Sequence, residues 1–140
     1  MPGCILQVAG TDFDPDSFLA NSTLQSYKVW RRGEPVALRG SRASRMHEWS
    51  GFRCDVSGVD GDLRGQVADA IGFISTHRAD FERLAVLETV EDRQLDFGYD
   101  CRLGNGIAVQ GDYLPVEFLR LVGQFNVAVA LSLYPVATQA

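Results

Sequence analysis

The sequence predicts an α+β domain in which a largely antiparallel sheet is covered on one face by helices. Three observations carry that prediction. Residues 27–32, 48–57 and 95–103 alternate apolar and polar side chains, the period of a half-buried strand. From Asp62 the period changes to that of an amphipathic helix, with Leu63, Val67, Ala70, Ile71 and Ile74 on one stripe. The pair Asn105-Gly106 tolerates the positive φ angles of a tight hairpin and sits beside the third alternating segment. The expected order is β-α-β-β-α-(α)-β-β-α-β, in a single domain over residues 1–140.

Each element has a local cause. Residues 4–9 form a short apolar run suited to a strand. Asp14-Pro15-Asp16-Ser17 supplies a capping aspartate, a proline at the first helical position and an acid near the positive helix end, so a short helix runs to about Asn21. The strand at 27–32 stops at Gly33-Glu34-Pro35, and the strand at 48–57, with Phe52, Cys54 and Val56 on one side, pairs with it across an arginine-rich loop at 38–45. The stripe from Leu63 is followed by a break, where Ser75-Thr76 is placed to cap a second helix carrying Phe81, Leu84 and Leu87. In the predicted hairpin, Leu95, Phe97, Tyr99, Cys101 and Leu103 share one face and Asp96, Asp100 and Arg102 the other. Pro115 opens a helix through Phe118, Leu119 and Val122, and residues 127–134 close the chain as an apolar strand.

Composition bounds the function. The chain has 140 residues, 46% hydrophobic and 22% charged, with five prolines, which excludes a disordered chain, a collagen-like fibre and a two-domain enzyme. A net charge of -5 opposes non-specific adhesion to nucleic acid, where cations must replace counterions. The charge is uneven: residues 28–53 hold seven bases (Lys28, Arg31, Arg32, Arg39, Arg42, Arg45, Arg53) against Glu34 and Glu48, a local balance of +5. The N-terminal run has no basic leader and too short an apolar stretch for a secretory signal, which points to a cytoplasmic protein. Residues 121–140 are free of charge, but Gln124, Asn126, Ser132 and Pro135 interrupt them, so no membrane span is expected. Cys4, Cys54 and Cys101 form an odd set without short spacing and read as reduced thiols.

Candidate chemistry is sparse. Asp12, Asp14 and Asp16 mimic the opening of a calcium loop, yet Ser17 stands where glycine is needed and Thr23 where a bidentate glutamate is needed, so helix capping is the better account. His47 and His77 have no paired spacing with the cysteines, and no metal, cofactor or catalytic residue is assigned. No Walker loop or G-x-G-x-x-G occurs, and no nucleophile elbow frames Ser50. Asp96 and Asp100 are expected on one strand face at a separation suited to paired-carboxylate chemistry, although charged strand faces serve solubility more commonly. Lys28 and Arg32 flank Trp30 on one strand side, with Trp49 on a neighbouring strand, a possible cation-π platform for an anionic or aromatic ligand, a nucleic-acid strand included. Tryptophans sealing a core edge are the plainer explanation.

Four motifs occur in order along nearly the whole chain: Thr11-Asp12-Phe13-Asp14-Pro15, Trp30-Arg31-Arg32-Gly33-Glu34, Trp49-Ser50 and Leu131-Ser132-Leu133-Tyr134-Pro135. In these the chain resembles the bacterial domain-of-unknown-function family 4279. The resemblance implies a small intracellular α+β protein of bacterial type and brings no catalytic residues; the loop at 38–45 is longer and more basic than the pattern.

The leading expectation is a non-enzymatic protein-binding domain, of immunity type or regulatory, that occludes a basic protein partner such as a toxin or enzyme. Its predicted face is acidic: Asp96, Asp100 and Asp112. The alternative is a small-ligand or nucleic-acid module built on Lys28, Trp30, Arg32 and Trp49.

Overall fold

Five strands form one sheet in the order β2-β3-β1-β4-β5, and the helices pack on a single side of it. The structure, a computed structural model, describes residues 3–36 and 45–136. The arginine-rich loop, except Arg45, lies outside the described residues, Arg39 and Arg42 included. In chain order the elements are β1 (Cys4–Gly10), α1 (Pro15–Ala20), β2 (Ser26–Trp30), β3 (Ser50–Ser57), α2 (Leu63–Thr76), α3 (Arg78–Val86), β4 (Asp92–Cys101), α4 (Val116–Gln124) and β5 (Ala128–Pro135).

Local signals place the helix starts. The Asp14 carboxylate accepts the Ser17 amide at 3.2 Å, with Pro15 at the first helical position of α1. The Asp62 carboxylate likewise accepts the Arg64 amide at the start of α2. That helix buries Leu63, Gln66, Val67, Ala70 and Ile74 against the sheet, which is the predicted stripe with the polar Gln66 added and Ile71 only half-buried. Ser75 and Thr76 do not cap α3, as the sequence led one to expect: both lie inside α2, where the Ser75 hydroxyl donates to the Ile71 carbonyl, and the break falls at His77.

The core fills the space between the helices and the inner face of the sheet. Leu6, Val8, Phe52, Cys54, Leu95 and Phe97 point inward from β1, β3 and β4 and meet Phe18, Ile74, Phe81, Leu84, Phe118 and Phe125. Cys54 is fully enclosed there, and burial pushes its thiol up to about 12; burial raises the Cys4 thiol further still.

The predicted hairpin is corrected. The turn forms, with Asn105 and Gly106 at positive φ and Gly104 and Ile107 exchanging two backbone hydrogen bonds of 3.0 Å. No strand follows it, because both edges of β4 are occupied, by β1 antiparallel and by β5 parallel. The sheet therefore has one strand fewer than expected. Leu103, past the end of β4, is exposed, and Asp112 belongs to no strand. The parallel β4–β5 pair is joined through α4, the crossover that parallel neighbours require.

Candidate functional site

The helix-free face of the sheet is built from the residues that alternate with the core. Across its middle, Ile5 of β1 stands opposite Asp55 of β3 on one side and Asp96 of β4 on the other. At ~4.8 Å between neighbouring strands, those two carboxylate-bearing residues lie about 10 Å apart with a single aliphatic side chain between them. One row away, the Arg53 guanidinium donates to Gln7 Oε1 at 2.8 Å, and the Gln7 amide donates to Asp92 Oδ2 at 2.9 Å, with Gln94 reaching the same oxygen at 3.4 Å. The Ser132 hydroxyl of β5 donates to Asp96 Oδ1 at 2.7 Å and holds that carboxylate in place. Asp100, at the end of β4, lies against Gly61, where a Cβ would come within 2.5 Å of its Oδ2; the positive φ of Gly61 also favours glycine. Among the described residues no lysine or arginine lies within ion-pair distance of Asp55, Asp92, Asp96 or Asp100.

The three predicted acidic residues are not one patch. Asp96 and Asp100 share the helix-free face, but four residues of strand separate them by about 13 Å, too far for the paired-carboxylate chemistry the sequence raised. Asp112 is neutralised elsewhere: Arg102 Nη2 donates to its Oδ1 at 2.6 Å and the Gln110 amide to its Oδ2 at 2.9 Å. The Arg102 hydrogen bond holds the Asp112 carboxyl below the usual carboxylate range. Arg102 is thus committed to Asp112, while Asp100 also acts on it through space. Asp55 and Asp92 take their place, and the alternation of Phe52, Cys54 and Val56 already left Asp55 pointing outward.

Trp30 is a seal rather than an open platform. Its ring lies over Gly51 of β3, where an added Cβ would come within 2.6 Å of Trp30 Cζ2, and Arg53 and Lys28 stack at 5.4 and 5.9 Å from its centre. His47 packs 6.1 Å away, and the residue is 9% exposed. Arg32, predicted beside it, lies past the end of β2 and faces Asp12 at 3.7 Å; Arg53 of the neighbouring strand fills the predicted role. Trp49 precedes β3 and is 45% exposed. Asp12, Asp14 and Asp16 diverge, since Asp14 caps α1 and Asp16 forms a two-pronged pair with Arg31 at 2.6 and 2.7 Å.

One cluster had no sequence signal, because Thr23 is more than fifty residues from its partners His77 and Asp80. The Thr23 hydroxyl donates to the buried Asp80 carboxylate at 2.7 Å and lies 2.8 Å from His77 Nδ1. A hydroxyl has one proton, so with it committed to Asp80 the imidazole Nδ1 must carry its own and donate. That direction is opposite to the one by which a histidine base activates a hydroxyl nucleophile. The cluster instead ties α3 to the chain after α1, where Arg83 also donates to the Asn21 carbonyl at 2.7 Å and covers the Phe18 ring.

A cleft of about 730 Å³ lies on the helix side between α2 and residues 111–115, with Leu63, Val67 and Ile71 on its wall and Arg64 and Arg102 in its lining. Among the described residues no group of three or more His, Cys, Asp or Glu side chains could hold a metal ion, and no helix is long and apolar enough to cross a membrane. Comparison with protein-family models, curated proteins and solved structures finds no match to the chain.

Proposed function

We propose that the protein is a non-enzymatic binding domain that docks a basic protein partner on the helix-free face of its sheet, as an immunity-type or regulatory protein occludes its target. The observation that carries this reading is the set of four carboxylates on that face, Asp55, Asp92, Asp96 and Asp100, none of them in an ion pair with a lysine or arginine among the described residues. The acids lie toward β4 and the bases Lys28 and Arg53 toward β2, so the acidic part of the face steers an oppositely charged partner and discriminates against acidic ones. A flat sheet face suits a protein surface, whereas small ligands favour enclosed, mostly apolar pockets. The Trp30 reading lacks this support, since its ring is already stacked. The four motifs shared with family 4279 are compatible with a bacterial origin and add no catalytic residue.

The test compares the wild-type protein with the triple variant Asp55→Asn, Asp96→Asn, Asp100→Asn as baits in bacterial lysate at low and high salt. The expected result is a stoichiometric basic protein on the wild-type bait at low salt, released at high salt and absent from the variant. With that partner in hand, the variant's association rate constant should fall about ten-fold at low salt, with a flatter salt dependence. Equal capture and equal kinetics on both baits would overturn the assignment of this face.

A further inference from the structure

The two edges of the sheet are built in opposite ways. β2, at one edge, is five residues long, carries Lys28, and has an irregular register between Ser26 and Lys28. Short length, an edge lysine and a bulge are the means by which natural sheets prevent another strand from adding on. β5, at the other edge, is eight residues long, about 27 Å of strand, and its register with β4 runs unbroken from Ala128 to Pro135. No charged residue occurs anywhere from Leu121 to Ala140, and the one proline in β5 is its last residue. Among the described residues nothing pairs with its outer edge.

The side chains along this edge are apolar and exposed. Leu131 and Leu133, on the helix side with Leu95 and Phe97, are 48% and 51% exposed, and α4, which packs next to β5, adds Val116 and Leu119 to the exposed set. We infer that β5 is the interface of a homodimer, in which two copies pair their β5 strands antiparallel about a two-fold axis and continue the sheet to ten strands. This goes beyond the acidic-face reading and does not depend on it.

The edge is self-complementary, which favours a second copy over a foreign strand. An antiparallel pairing centred on Ser132 sets Leu131 opposite the second copy's Leu133, so apolar meets apolar on the helix side. Directly opposed residues in such a pair point to the same face, and no charge is brought against a like charge. The eight-residue edge with its α4 flank covers roughly 600 Å² per copy, near the lower bound for a specific interface, so a dissociation constant on the order of micromolar is expected.

Sedimentation equilibrium of the full chain from about 1 µM to about 200 µM reads this directly. The expected result is a weight-average mass rising from the 15.4 kDa monomer to twice that value and no further. Leu133→Lys, an edge charge, should raise the midpoint concentration at least ten-fold. Met46→Lys, an exposed apolar residue near the opposite edge, should leave it unchanged. Hydrogen exchange over residues 128–135 should slow with concentration in the wild type and not in Leu133→Lys, which separates lost pairing from lost folding. A wild-type chain that stays monomeric throughout, an open series of larger species, or an equal effect of both variants would overturn the proposal.

Discussion

The same substitution, glycine to alanine, should change stability in opposite directions at Gly51 and Gly72. Gly51 lies in β3 under the Trp30 ring: a Cβ there would come within 2.6 Å of Trp30 Cζ2, 2.9 Å of Ala9 Cβ, and closer still to the Val8 carbonyl oxygen. The last is backbone of β1, which cannot retreat without opening the β1–β3 ladder. Overpacking a fixed site costs about 1–3 kcal/mol and more when backbone must shift, against at most ~1 kcal/mol regained from the lower entropy of the unfolded chain. A net loss of about 2 kcal/mol is expected for Gly51→Ala, roughly 6–8 °C in midpoint for a domain of this size. Gly72 lies inside α2 on an exposed surface with nothing within 4 Å of its Cβ position, so Gly72→Ala should gain about 0.5–1 kcal/mol. Urea unfolding followed by tryptophan emission and far-ultraviolet circular dichroism measures both, and Gly51→Ala should also shift the native emission to the red as the ring is displaced. A Gly51→Ala midpoint at or above that of the wild type would refute the packing of Trp30 onto β3.

Three further outcomes follow from buried groups and one ion pair. Gln66 is fully enclosed and its amide donates to the carbonyls of Val59 (2.9 Å) and Gly98 (2.7 Å), so Gln66→Leu should destabilise by about 2 kcal/mol in urea unfolding; a change below ~0.5 kcal/mol would remove its role as the tie between β4 and the chain before α2. Arg102 lowers the folded-state pKa of Asp112, so the stability this pair contributes is present at neutral pH and is lost as pH falls through that lowered value; the melting-temperature gap between wild type and Arg102→Ala should close between about pH 7 and about pH 2, and a gap that widens on acidification contradicts the assignment. Cys4 and Cys54 are buried with raised thiol pKa values, whereas Cys101 is partly exposed, so a thiol reagent at pH 8 should label Cys101 promptly in the native protein and all three cysteines in urea; fast native labelling of Cys54 would contradict its enclosure.

What the sequence made legible is what is decided locally. The runs and alternations of β1, β2 and β3, the cap of α1, the helical stripe that starts at Asp62 and the proline before α4 all act within a few residues, and all appear within one to three residues of their expected bounds. β4 begins earlier than its apolar pattern, at Asp92, because Arg93 turns inward and donates to the carbonyls of Leu84, Leu87 and Val90 at the end of α3. An arginine in that position reads as a break until its acceptors are known. The Asn105-Gly106 turn was equally legible, but whether a strand follows depends on which edge of β4 is free, a property of the whole sheet. Trp30 shows the same limit at the site. The sequence favoured the core-edge seal over the ligand platform, and the register, by placing Gly51 beneath the ring, shows why.

Charge compensation, more than charge number, separates the two functional readings. Part of the basic segment is consumed by its own neighbours: Arg31 binds Asp16 and Glu34 and Arg32 faces Asp12, whereas Arg53 meets the neutral Gln7 and Trp30 and keeps its charge. A phosphate or other anion docking at Arg31 or Arg32 would have to displace those exposed pairs. Among the described residues, Asp92 and Asp96 of the helix-free face accept side-chain bonds from neutral donors, Gln7, Gln94 and Ser132. Neutral donors orient a carboxylate without cancelling its charge. With a Debye length of ~8 Å at physiological ionic strength, carboxylates spaced by about 10–13 Å act chiefly at close approach. A basic partner would therefore associate with a salt-dependent rate set by Asp55, Asp92, Asp96 and Asp100 together, while removal of any single one would change that rate only modestly.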